Sequence, residues 1–200
     1  MLDRFGGADD QTIQRQVAMA LYNKGVVLEE LNRYEEALAT FGEIDRRFED
    51  ADHPGLKEYV LHAVFKEGWQ FQRLDRGDDA IAKYDELVRR FGNRQEPAFR
   101  EEVAHALINK ALVLLGLKRR VESVEAFANV ESYVKLVKEP ALQRHAAQAR
   151  LLRCGILCDL GRNGEASRLY DDSLQTLKDA MEPNLRRAVK ERLSQPDRDE

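Results

Sequence analysis

The sequence predicts an all-α solenoid built from four helix–turn–helix repeats. Two observations carry this. One residue pattern returns every 43 positions along nearly the whole chain, and the apolar residues inside each unit have helical rather than strand spacing.

The pattern is legible in several columns. Gly25, Gly68, Ala111 and Cys154 align, as do the small residues Ala37, Ala80, Ser123 and Ala166. An aromatic recurs at Phe41, Tyr84, Phe127 and Tyr170, and alanine at Ala20, Ala63, Ala106 and Ala149. Leucine recurs at Leu31, Leu74, Leu117 and Leu160, followed two positions later by Arg33, Arg76, Arg119 and Arg162. Proline recurs at Pro54, Pro97, Pro140 and Pro183. So many columns in one register exclude coincidence.

Each unit reads as two helices. In the second unit the first helix runs from about Pro54 to Leu74, with Leu56, Val60, Val64, Phe71 and Leu74 at helical spacing. Proline suits a first turn because its missing N–H would have no partner there. Asp75-Arg76-Gly77 breaks the chain, and the second helix runs from about Asp78 to Phe91 on Ile81, Tyr84, Leu87 and Val88. Acids open the second helices (Glu35 and Glu36, Asp78 and Asp79, Glu165), facing the positive end of the helix dipole. Gly92 is expected as a left-handed cap. Gly25 and Ala37 are expected to let paired helices approach closely, with the aromatic column filling the space beside them. Leu74 is expected in the core, so that Leu74→Ala costs about 2–5 kcal/mol.

The order Gly25, Leu28, Tyr34, Ala37, Phe41, Ile44, and in the next unit Gly68, Phe71, Ala80, Tyr84, Leu87, resembles the tetratricopeptide repeat family. The family period is about 34 residues, and 43 also falls in the HEAT and armadillo range of about 40–47. The order glycine, leucine, alanine, aromatic favours the tetratricopeptide resemblance, in the stretched form of bacterial multi-repeat proteins. The resemblance implies a right-handed α-solenoid of antiparallel helix pairs. Its repeats are expected at 11–53, 54–96, 97–139 and 140–182. Residues 1–10 read as the remnant of a preceding repeat's second helix, because Phe5-Gly6 echoes Phe91-Gly92. Residues 183–194 read as a capping helix and 195–200 as a disordered tail. Ser123, Cys154 and Arg150 depart from the pattern and imply looser packing toward the C-terminus.

In such solenoids the first helices line a concave groove. By resemblance, its partner-binding positions are Tyr22, Asn23, Val26, His62, Phe65, Lys66, Trp69, Arg73, His105, Ile108, Asn109 and Leu112, continuing at Gln148, Leu151, Leu152 and Gly155. The apolar members either form a groove for a peptide or amphipathic helix or pack between repeats. Some family members clamp a terminal carboxylate with lysine and asparagine; Tyr22 and Val26 stand at those positions, so that mode is not implied. His62 and His105 share a column, but a metal needs three or four ligands and no third is evident. Cys154 and Cys158 lie one turn apart, and Cys154 reads as a packing residue. The arginine column reads as binding neighbouring acids or carbonyls in the turns, against a basic ridge for an acidic partner.

The bulk numbers agree. Of 200 residues, 43% are hydrophobic, enough for a core, and 34% are charged with a net charge of −4, which argues against a nucleic-acid partner. Phosphate-loop, nucleophile-elbow and metal motifs are not found, so neither an enzyme nor a cofactor is expected. The absence of signal and membrane-spanning segments points to the cytoplasm. The reading is a protein-interaction scaffold that admits self-association. The alternative is a structural spacer or oligomerisation domain within a larger bacterial signalling or effector protein.

Overall fold

The computed structural model describes residues 11–137, 140–176 and 183–194. The expectations for residues 1–10 and 195–200 lie outside them. Among the described residues the chain is all-α: α1 (Gln11–Glu30), α2 (Tyr34–Phe48), α3 (Pro54–Arg73), α4 (Gly77–Phe91), α5 (Pro97–Gly116), α6 (Arg120–Val137), α7 (Gln143–Asp159), α8 (Asn163–Thr176) and α9 (Pro183–Leu193). Consecutive helices pack as antiparallel pairs. No described helix is long and apolar enough to cross a membrane.

The chain divides into two compact units, residues 1–106 and 107–200. In the first, α2 packs on α1 and α3, α4 packs on α3, and α1 lies against α3. In the second, α6 and α8 both pack on α7, and α9 lies against α7 and α8.

The small columns do what close helix packing requires. A Cβ at Gly25 would lie 2.6 Å from Phe41 Cε1, and one at Gly68 would lie 2.7 Å from Tyr84 Cε1. Phe41, Tyr84 and Phe127 are fully buried, as are Ala37, Ala80, Ser123 and Ala166. The looser C-terminal packing expected at Ser123, Cys154 and Arg150 is not found at those positions. Ser123 Oγ donates to the Ala111 carbonyl at 2.8 Å, Cys154 is fully buried with its thiol 3.5 Å from the Ala166 carbonyl, and Arg150 bridges Glu131 and Asp172. Each departure brings a polar contact that closes the gap.

Three expectations are corrected. Gly92 is right-handed, with φ −60°. A Cβ there would meet the Val88 carbonyl oxygen at 2.5 Å, so close approach rather than handedness calls for glycine. Among the described residues the left-handed positions are Asn32, Asp75, Lys118 and Gly161, at the ends of α1, α3, α5 and α7. There the N–H of the following arginine reaches back five residues, Arg33 to the Leu28 carbonyl, Arg76 to Phe71, Arg119 to Leu114 and Arg162 to Leu157, each at 2.8–2.9 Å. This is a Schellman closure, repeated four times. The leucine column, second, is not core: Leu31 is 59% exposed, Leu117 is exposed, and Leu74 is a half-buried C-cap. A side chain on the last residue before a reversal points past the helix end, so Leu74→Ala falls short of the core cost. Third, Pro140 opens a 3-10 turn (Pro140–Leu142) and α7 begins only at Gln143, whereas Pro54, Pro97 and Pro183 each begin an α-helix.

The arginine column binds its own turn. Arg33, Arg119 and Arg162 each hold Glu36, Glu122 and Glu165 in a two-pronged pair, and Arg76 holds Asp79 at 2.7 Å. The exposed arginines therefore neutralise the acids that open the second helices, and the basic-ridge alternative falls away.

Candidate functional site

The first unit presents a face made by α1, α3 and the start of α5. Tyr22 is half-buried. Its ring lies edge-on to Phe41 at 5.7 Å and beside Tyr59 and His62 at 6.1 and 6.2 Å. Burial, then the charges of Glu102 and Glu29, push its phenol pKa up. Phe65 is likewise half-buried, against Tyr84 at 5.8 Å and His105 at 6.5 Å. Trp69 is 36% exposed; Met19 and Asn23 are exposed and Val26 half-buried. These side chains share one side of their helices because they recur at three- and four-residue steps.

Polar groups fasten the same face. Lys66 Nζ reaches Glu29 Oε2 at 3.0 Å, and Gln70 Nε2 donates to that same oxygen at 2.9 Å. Arg73 donates to the Tyr34 hydroxyl at 2.7 Å, with its guanidinium 5.0 Å from the ring centre. His62 Nδ1 stands 2.9 Å from Glu102 Oε1, and His105 Nδ1 stands 3.5 Å from Glu102 Oε2. The two histidines of one column thus meet on a carboxylate. Burial alone would raise the Glu102 pKa, but the hydrogen bonds and charges of His105 and His62 outweigh it and bring it to about 2. The bond to Glu102 raises the His105 pKa.

Behind this face, α2, α3 and α4 enclose a second set of charges. Lys83 Nζ lies 2.6 Å from Glu67 Oε2 and 3.0 Å from Glu86 Oε2, while Arg90 Nη1 bonds Asp45 and Glu86 at 2.7 and 2.9 Å. Glu67 is buried, and that burial raises its pKa against the pull of Lys83.

Among the other expected partner residues, Leu112 is exposed and Asn109 half-buried, but Ile108 is only 6% exposed and Leu151 and Gly155 are buried. For Ile108 and Leu151 the reason lies in the column that they share with Tyr22 and Phe65. Tyr22 and Phe65 sit over the aromatic of their own second helix and still reach solvent with a ring edge; a shorter isoleucine or leucine does not. Glu102 was not legible as a face residue, although it precedes His105 by three positions and so shares its side of α5.

Residues 19–51 match a family model described as tetratricopeptide repeat. No curated protein matches the chain. Among solved structures it is similar to a Podosopora anserina putative kinesin light chain with nearly identical TPR-like repeats, at a TM-score of 0.57 and 12% identity, covering 88% of this chain and 82% of that one. A variant of that protein gives a TM-score of 0.58 at 11% identity, with the same coverage. The fold is that of a tetratricopeptide-like repeat structure. In this tetratricopeptide-like fold the matched segment runs through most of α1 and all of α2, the stretch that holds Gly25, Ala37 and Phe41.

Proposed function

We propose that this chain is a protein-binding scaffold and that the face of α1 and α3 seats a peptide or helix of its partner. Repeats of the tetratricopeptide kind generally mediate protein–protein interaction. The carrying observation is Trp69, a large aromatic left exposed on a face that is otherwise pinned by ring contacts and ion pairs. The same face holds exposed Met19 and half-buried Val26, with Lys66, Glu29 and Arg73 among its polar groups. A fixed aromatic anchor with a polar rim is the usual makeup of a binding hot spot. The units of the scaffold are the four 43-residue repeats, and the cytoplasm is its compartment.

The test is capture of partners from host lysate by the wild-type chain and by Trp69→Ala. Phe65 is left intact because it packs on buried Tyr84. Trp69→Ala is expected to keep its unfolding midpoint and lose the captured protein. Equal capture by both chains would remove this face as the binding site and favour the spacer reading.

A further inference from the structure

The internal repeat provides a control that an isolated helix lacks: each position of α1 can be compared with its own counterparts. On one side of α1 stand Ala20, Lys24 and Val27, continued by Leu31 just past the helix end, at steps of four, three and four, hence one face. Ala20 and Lys24 are exposed and Val27 is 52% exposed. The counterparts of Ala20 (Ala63, Ala106 and Ala149) are fully buried, and those of Val27 (Gln70, Val113 and Ile156) are buried as well.

The structure shows what buries them. In α3 this face packs on α2: a Cβ on Gly42 would come within 2.6 Å of Glu67 Oε1, and Glu67 is the counterpart of Lys24. In α7 it packs on α6, where Arg153, again the counterpart of Lys24, pairs with Glu131 at 3.3 Å. Both covering helices carry the same pattern, aromatic, then aliphatic and acid, then apolar: Phe41, Ile44, Asp45, Phe48 in α2 and Phe127, Val130, Glu131, Val134 in α6. All of these residues but Glu131, which is half-buried, are buried.

We propose that the Ala20–Lys24–Val27–Leu31 face of α1 is a second docking surface, separate from the Trp69 face, and that its occupant is an amphipathic helix of a partner carrying this pattern, with its acid opposite Lys24. Charge selects the occupant. At Arg153 the column holds a cation, and the acid of the covering helix, Glu131, pairs with it directly. Where it holds an acid, as at Glu67, the acid Asp45 must share Lys83 with it. Lys24 is of the first kind; the acid near it in the chain is Glu36, whose two oxygens Arg33 already holds.

The probe is a synthetic peptide of residues 34–48, held helical by a lactam between Glu35 and a lysine introduced by Ala39→Lys, because a free 15-residue helix is marginal in water. It is titrated into the isotope-labelled full chain and followed by amide chemical shifts. Saturable shifts confined to α1 between Ala20 and Leu31 are expected, unaffected by Trp69→Ala and weakened at least tenfold by Val27→Asp, an exposed site that leaves the core intact. An Asp45→Lys peptide should bind several-fold more weakly to wild type and regain affinity for a Lys24→Glu chain. Absence of shifts, shifts on the Trp69 face, or equal binding by Val27→Asp would overturn the proposal. So would sedimentation showing a concentration-dependent dimer lost in Val27→Asp, which would make a second copy the occupant.

Discussion

At the scale of single residues, the tightest constraint is the glycine column. Gly68→Ala places a methyl 2.7 Å from the ring of Tyr84, which is fully buried and hydrogen-bonded to Gln72, so the ring cannot swing into solvent. Overpacking of this kind costs about 1–3 kcal/mol, to be read from urea unfolding. Glu102 makes the second prediction. Its pKa is about 2 when folded against an ordinary 4.5, so its contribution is fully present above pH 4.5 and is lost as pH falls toward 2. The shift corresponds to an upper bound of about 3 kcal/mol. Glu102→Gln should therefore flatten the fall of stability between pH 4.5 and 2, measured by unfolding midpoints. His105 has the opposite dependence: its folded pKa is raised, so its contribution is full below about pH 6.5 and is lost as pH rises through the folded value.

At the scale of elements, the first-helix closures show what could be read and what could not. Helical spacing and proline placed the helices to within a few residues. The handedness of the turn was assigned to Gly92 because glycine is the usual left-handed residue, whereas Asn32, Asp75 and Lys118 take that conformation in three of the four closures. Backbone bonds to the helix end impose it irrespective of side chain. Lysine is a poor occupant, since a left-handed residue with a Cβ is strained by about 1–2 kcal/mol. Lys118→Gly should therefore raise stability by about 1 kcal/mol, and Gly161→Lys should lower it by a similar amount, both by denaturant titration. The buried charges joining α2, α3 and α4 were not legible either, because Asp45, Glu67, Lys83, Glu86 and Arg90 come from three helices and only packing brings them together. Lys83→Met leaves Glu67 without its cation and should cost about 3 kcal/mol at pH 8. The loss should shrink as pH falls and Glu67, whose pKa burial raises, takes up a proton.

At the scale of the whole molecule, the 43-residue recurrence was strong enough to specify an all-α repeat fold from one sequence, because the glycine, small-residue and aromatic columns serve the same packing job at each recurrence. The candidate face was only partly readable. The column of Tyr22, Phe65 and Ile108 has one geometry and three side-chain lengths, and length decides which member reaches solvent. The net charge of −4 vanishes near pH 5.7, so solubility should pass through a minimum there, to be followed by turbidity against pH.

The buried thiol of Cys154 has a practical consequence. Burial, followed by the charges of Cys158 and Glu131, pushes its pKa up to about 12, and its sulfur is shut in the helix seam. Thiolate is the species that reacts, so at neutral pH this sulfur stays silent toward maleimides and peroxide. A chain with two cysteines will then count as one in a thiol titration. A dye or spin label offered to the native protein will settle on Cys158, giving a singly tagged molecule without any substitution.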